Sequence, residues 1–231
     1  MKPARLSSPD LSRIVTSNQD GIHPDLEEVV KRHLNSTFQK PIPEYAYEVL
    51  DQIEKKLAQN GGKLILDSGC GTGASSINLS DQFPDDLIVG IDQSIVRLNK
   101  KKTQKENVLF FRASVIDIWS LMQKQDWKID QHFLLYPNPW PKKKHLKRRW
   151  HGHPVFPSLL KISKSLELRT NWKIYAEEFA KTIEIATTNK NPVEEISTTD
   201  LNFKPISPFE KKYLASGQKV YSYRMALWRQ E

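Results

Sequence analysis

The chain has 231 residues, 38% of them hydrophobic, and a formal net charge of +8, which suits one well-buried domain with additions and does not require two. A single cysteine, Cys70, excludes an internal disulfide framework and a multi-cysteine zinc site, and points to a reducing, cytoplasmic setting. Residues 1–20 contain no continuous apolar run, so neither a signal peptide nor a membrane span is expected.

Residues 1–20 are polar and rich in Ser, Asp, Asn and Arg, and read as a flexible arm that orders on a partner, with residues 21–231 forming one domain. From Pro24 to Leu57 the apolar positions Leu26, Val29, Val30 and Leu34, then Tyr45, Val49, Leu50, Ile53 and Leu57, recur at helical spacing around Pro41 and Pro43. That spacing predicts two lead-in helices within 21–60. The pattern then changes to KLILD (63–67), a short buried strand running into SGCGTG and a helix over ASSINLSDQF (74–83).

Next come LIVGID (87–92) as strand, SIVRLNKKKTQK (94–105) as a basic helix and NVLFFRA (107–113) as strand. VIDIWSLMQK (115–124) reads as helix, KIDQHFLLY (128–136) as strand, PSLLKISKSL (157–166) as helix and LELRT (166–170) as strand. Alternating helices and continuously apolar strands predict an α/β fold, a mostly parallel sheet with helices on both faces. VEEISTTD (193–200) and KVYSYRMALWR (219–229) are strand-like runs separated by a proline-containing loop with no evident crossover helix, and are expected as an antiparallel pair completing the sheet.

Asp67, Gly69, Gly71 and Gly73 form D-x-G-x-G-x-G at the end of the first strand, where glycines let the backbone turn sharply and approach a ligand. The third glycine comes one residue earlier than in the dinucleotide fingerprint, which favours a cofactor without a pyrophosphate. Asp92, 19 residues after Gly73, closes the second strand where a carboxylate accepts ribose hydroxyls. Asp67 is placed to hold an ammonium group, and Ser114, after the third strand, to flank an adenine. A sulfonium cofactor with amino-acid, ribose and adenine parts fits the set: S-adenosylmethionine.

At the end of the fourth strand Asn138 stands between Pro137 and Pro139, which restrict its backbone. Its amide offers a donor and an acceptor to a base edge, and Trp140 a stacking face. Lys142, Lys143, Lys144, Lys147, Arg148 and Arg149 follow, and removing these six would leave a net charge of only +2. No acid lies between Asp130 and Glu167, so this run reads as a phosphate grip for nucleic acid. His145, His151 and His153 lack an accompanying carboxylate or cysteine, and no metal site is expected.

Taken together, the chain resembles the bacterial tRNA (guanine-N7)-methyltransferases, a class I S-adenosylmethionine-dependent family, from about Leu64 to Glu210 and most specifically over PNPWPKKKHLKRR. The resemblance implies a Rossmann-like class I methyltransferase fold with a seven-stranded sheet whose C-terminal strand is antiparallel. It assigns the cofactor to Asp67, Asp92 and Ser114 with the glycine turn, and the substrate to Lys142, the segment Lys144 to Arg149, and the late loop Ser207 to Glu210. The implied substrate is a guanine in the variable loop of tRNA, and the expected state is a monomer. Two positions depart from the family pattern: Asn138 and Asn171 stand where acids are usual. An amide accepts at one atom and donates at the other, whereas a carboxylate accepts at both, so a different base or amino group on RNA, or a weakly catalytic tRNA-binding paralogue, are the alternatives. Methylation at N7 still needs no proton removed, so alignment of its lone pair by Asn138 is the main catalytic requirement.

Overall fold

A computed structural model describes residues 12–100, 103–197 and 203–227. One seven-stranded sheet runs in the order β3-β2-β1-β4-β5-β7-β6. Every residue of β1 (Leu64–Ser68) and β2 (Leu87–Asp92) is buried, which accounts for their unbroken apolar sequences, since a strand covered on both faces has no solvent side to alternate toward. β3 (Val108–Arg112), β4 (Gln131–Leu135) and β5 (Ser165–Thr170) extend the parallel set. β7 (Tyr221–Ala226) pairs antiparallel with both β5 and β6 (Val193–Glu195), so β7 alone runs backward, as expected.

Successive strand residues feed two cores. Leu64, Leu66, Val89 and Leu134 join the apolar sides of α2 (Glu44–Asn60), α5 (Val115–Lys124), α6 (Phe156–Ile162) and α7 (Lys173–Thr187). Ile65, Ile88 and Phe133 pack with Leu79 of α3 (Ala74–Gln82) on the other face. Each such side chain stabilises the fold by about 1.5–3 kcal/mol relative to exposure. Gly90 sets the closeness of α3: a Cβ there would lie 2.7 Å from the Ser76 hydroxyl. β1 leads to β2 and β3 on one side while β4 and β5 lie on the other, so the carboxyl ends of β1 and β4 flank the switch point where open α/β sheets take ligands.

Local structure departs from expectation in several segments. The basic helix expected over 94–105 closes after one turn, α4 (Ile95–Leu98), capped by Ser94, whose hydroxyl accepts from Arg97 N–H; residues 101–102 lie outside the described residues. The helix expected over 157–166 stops at Ile162, because Ser165 and Leu166 enter β5 opposite Ala226 and Met225. α7, with Tyr175, Phe179 and Ile183 buried four residues apart, fills the gap between β5 and β6. α8 (Pro208–Ala215) replaces the expected loop before β7, and the Ser207 hydroxyl caps it by accepting from Glu210 N–H at 3.1 Å, with proline at the first helical position. Of the strand run expected over 193–200, Val193–Glu195 is strand and 198–200 lie outside the described residues.

Part of the N-terminal arm lies against the domain. Residues 1–11 lie outside the described residues, but 12–20 are strapped to the domain: Ser12 N–H donates to the Ser216 hydroxyl at 2.8 Å, the Ser17 hydroxyl to Pro141 O at 2.6 Å, and Gln19 is buried. The lead-in helices form as expected, α1 (Leu26–Leu34) packing through Leu26, Val29 and Val30 against Leu146 and Ile185. No described helix is long and apolar enough to cross a membrane.

Candidate functional site

The turn after β1 adopts backbone conformations that side chains disfavour: Gly69, Gly71 and Gly73 have φ of 81°, 60° and 81°. Asp67, at the end of β1, is fully buried beneath it. Its Oδ2 accepts from the Ser75 and Ser76 hydroxyls at 2.6 and 2.7 Å, while Oδ1, equally buried, has no partner among the described residues. Burial pushes its pKa up to about 6, against the two hydroxyls, which favour the carboxylate. A buried acceptor left open beside a glycine turn fits a ligand that brings a donor, and an ammonium group is the donor an anionic carboxylate holds best.

Asp92, also buried, ends β2 next to this turn. Its Oδ2 accepts from Gly71 N–H at 3.0 Å, and its Oδ1 accepts from Ser94 N–H at 2.7 Å and pairs with Arg97 at 3.0 Å. Asp92 therefore locks the glycine turn to the second strand, and its ion-pair partner Arg97 is half-exposed. The hydroxyl of Ser114 makes no hydrogen bond among the described residues, and its N–H donates to the Tyr45 hydroxyl at 3.4 Å. Tyr45 in turn donates to Asp117 at 2.5 Å, with Lys40 on the other carboxylate oxygen, so α2 borders the segment around Ser114. Nothing in the sequence pattern singles out this trio.

Beside the glycine turn, β4 is followed by Tyr136 and the loop to Trp140, and both aromatic residues have positive φ, 55° and 45°. Non-glycine residues in that region cost about 1–3 kcal/mol, which surrounding structure must over-determine. Asn138, between them, is exposed and has no hydrogen-bond partner among the described residues. Asn171, following β5, donates from Nδ2 to Gln218 Oε1 at 2.8 Å, and Gln218 Nε2 donates to Ser12 O at 2.8 Å. The N-terminal strap thus reaches the position beside the candidate base site.

The six cations divide. Lys142, Lys143, Lys144, Lys147 and Arg148 are exposed, and none pairs with a carboxylate among the described residues. Arg149 is not a phosphate contact: it is fully buried, bonded to Glu178 at 2.5 Å, Gln19 Oε1 at 3.0 Å and Trp140 O at 3.1 Å, with its guanidinium over the Trp172 ring at 4.8 Å. Glu178, on α7, also accepts from Gln19, His23 N–H at 2.9 Å and His151 at 2.8 Å. Burial alone would raise the carboxyl, but His151 and Arg149 outweigh it and hold it at about 2. One buried carboxylate therefore fastens the basic loop, the strap and α7 together.

Other expected substrate residues have partners as well. His145 packs edge-on against Trp140, and burial together with Arg148 and Lys144 lowers its pKa. Arg148 lies over one face of the partly exposed Trp140 ring, 4.8 Å from its centroid. Ser207 serves as the cap of α8, and Glu210 is buried on Arg169 at 2.9 and 3.1 Å, an internal strut between β5 and α8. The three histidines go to separate partners: His145 to Trp140, His151 to Glu178, and His153 to Phe38 and Trp150.

This architecture, a parallel sheet with one reversed strand near its edge and a glycine turn with paired acids at the switch point, defines a class I methyltransferase-like enzyme. The chain belongs to the putative methyltransferase family, which it matches over residues 61–223. It is similar to the tRNA (guanine-N(7)-)-methyltransferase of Ralstonia pickettii, 26% identical over 196 residues that cover 81% of this chain and 74% of the relative. The enzyme of the same name from Neisseria gonorrhoeae is 26% identical over 68% of each chain. Among solved structures, an antibiotic-related methyltransferase aligns with TM-score 0.56 at 15% identity, covering 83% of this chain and 96% of that one. The 16S rRNA (adenine(1408)-N(1))-methyltransferase of Catenulisporales acidiphilia, solved with its cosubstrate SAM, gives 0.52 at 18%, covering 75% and 89%. These two likenesses concern the fold.

Proposed function

We propose that this protein transfers a methyl group from S-adenosylmethionine to N7 of a guanine in tRNA, in the variable loop. The observation that carries this reading is the adjacency, at one switch point, of a buried carboxylate with an open oxygen and an exposed amide leading into five exposed cations that pair with no carboxylate among the described residues. When bound, the cofactor supplies an electrophilic methyl on a sulfonium. Asp67 would hold its ammonium group, Asp92 its ribose, and Ser114 with the backbone beside Tyr45 its adenine side. Lys142, Lys144, Lys147 and Arg148 would hold phosphates, and Asn138 would hold the base edge so that the N7 lone pair faces the methyl. Because that lone pair carries no proton, these residues need only bind and align, and no general base is required.

The cytoplasm, where tRNA is abundant, is the setting this reading implies. Nucleoside mass spectrometry of tRNA incubated with the enzyme and S-adenosylmethionine tests it. N7-methylguanosine is the expected product; a methylated adenine or cytosine instead would assign Asn138 to an exocyclic amine, and no product would leave a tRNA-binding protein.

A further inference from the structure

A chain of hydrogen bonds crosses the interior beneath the glycine turn. Ser68, the last residue of β1, stands between Asp67 and Gly69, and its hydroxyl meets α5 on the face of the sheet opposite the α3 serines that hold Asp67. The Ser68 hydroxyl lies 2.8 Å from His132 Nε2 of β4 and accepts from the Trp119 indole N–H of α5 at 3.1 Å. On the far side of the imidazole, His132 Nδ1 lies 2.8 Å from the Ser163 hydroxyl, which donates to Leu159 O of α6 at 2.7 Å. All four side chains are buried.

The two ends of the chain fix its direction, because an indole N–H only donates and a backbone carbonyl only accepts. Ser163, its one proton committed to Leu159, accepts from His132 Nδ1–H, and Nε2 is then the acceptor for the Ser68 proton. The opposite tautomer would leave that buried proton with no acceptor among the described residues. Burial pushes the His132 pKa down to about 3, so the ring stays neutral, and Trp119 packs edge-on against it with centroids 5.3 Å apart. An apolar residue in β4 would need no partner at all, so what the histidine adds is the acceptor it gives Ser68. The turn is tied on its other side by Gly69 and Cys70, whose N–H groups donate to Ile91 O at 2.7 and 3.0 Å. We propose that His132 is a positioning residue for the cofactor: by holding Ser68 it sets the backbone between Asp67 and Gly69, and with it where the open oxygen of Asp67 meets the ammonium group. The inference rests on the reading of this turn as the S-adenosylmethionine site and is independent of which base is methylated.

The test measures S-adenosylhomocysteine affinity by calorimetry, well below the melting temperature, in wild type, Ser68→Ala, His132→Phe and His132→Gln, with Ile183→Ala as a control destabilised by a cavity under α7. An unpaired buried group at the root of the turn predicts affinity weaker by about 5- to 10-fold in Ser68→Ala and His132→Phe. The amide carbonyl of His132→Gln supplies an acceptor again and should restore most of it. Ser68→Ala combined with His132→Phe should lose no more than either alone, because both break the same bond. Ile183→Ala should melt lower and bind the ligand as wild type does. Affinity that follows melting temperature across all variants, the control included, would reduce the chain to a strut and overturn the proposal, as would losses that add in the double variant. Ser68→Ala, the smallest change, decides the matter if His132→Phe does not fold. Wild-type protein that binds S-adenosylhomocysteine but methylates no guanine would sink the proposed reaction and leave His132 to be decided by the affinity series. Wild-type protein that binds no S-adenosylhomocysteine would remove both.

Discussion

The cofactor turn and the basic loop are held by opposite means. At the turn, Asp67 is buried with half of its carboxylate unsatisfied, and backbone and hydroxyl groups do the holding. Under the basic loop, Glu178 is buried with four donors converging on its two oxygens, and its charge is compensated. The first region keeps an open acceptor that a ligand can fill; the second uses its electrostatics for rigidity, and the five exposed cations beside it pair with no carboxylate among the described residues. Binding competence in this protein therefore lies where polar groups are left open.

The largest expected break comes from the closed region. Glu178→Gln removes one negative charge from Arg149 and sets an amide donor against existing donors, which costs about 3–5 kcal/mol for a broken buried pair. Melting should fall by about 10 °C for a domain of this size. Because its folded pKa, about 2, lies below the ordinary 4.5, the stabilisation is complete above 4.5 and is lost as pH falls toward 2. Acid melting curves of wild type and Glu178→Gln should converge over that window.

The open region should behave in the contrary way. Asp67→Asn keeps an acceptor for Ser75 and Ser76 but cannot carry charge, so melting should hold or rise while affinity for S-adenosylhomocysteine drops about 10- to 100-fold, the worth of a charge-assisted bond. The pH dependence sharpens this. With a folded pKa raised from 3.8 to about 6, Asp67 favours the folded state at low pH, and that contribution is lost as pH rises through 6. Ligand affinity runs the other way, climbing as pH rises through the same value and the carboxylate ionises. Calorimetry across that range should show the climb in wild type and a flat line in Asp67→Asn; a climb in both would clear Asp67 of the role.

The same contrast explains what the sequence can reveal. The glycine turn is legible residue by residue because positive φ is a local demand that only glycine meets easily, and the strands are legible because burial on both faces leaves continuous apolar runs. The role of Arg149 is not, since its partner Glu178 lies 29 positions away on α7, a helix that the expected strand and helix alternation does not contain. α8 has a readable start in Ser207, Pro208 and Glu210, a cap with proline at the first position. The strap over residues 12–20 has none, because a polar segment that bonds to a distant loop has the same composition as one that does not.

Among the cations, Lys142, Lys144 and Lys147 replaced together by Ala should weaken tRNA binding about tenfold at moderate salt and flatten its salt dependence by roughly 0.7–0.9 for each phosphate no longer neutralised. Arg148→Ala should add to this through the loss of its charge. Filter binding from low to high salt separates these variants from Glu178→Gln, whose losses should follow folding rather than salt. An unchanged slope in the triple variant would mean that the loop does not meet phosphate.

The smallest expected effect concerns Asn138. It is exposed and has no partner among the described residues, so Asn138→Asp alters what the loop offers a base without disturbing packing, and melting should not change. A carboxylate accepts at both oxygens, whereas the amide must turn one donor toward the ligand. Guanine presents two adjacent donors, N1–H and N2–H, on the edge away from N7. A bond to a charged acceptor exceeds a neutral one by about 1 kcal/mol, which corresponds to about fivefold in the rate of methyl transfer if that bond forms in the transition state. Single-turnover transfer to tRNA by Asn138→Asp should therefore rise about fivefold, appearing in the chemical step if the bond aligns N7 and in KM alone if it only retains the base. A fall in guanine methylation would show instead that the donor of Asn138 faces the base, on an acceptor edge that a carboxylate repels.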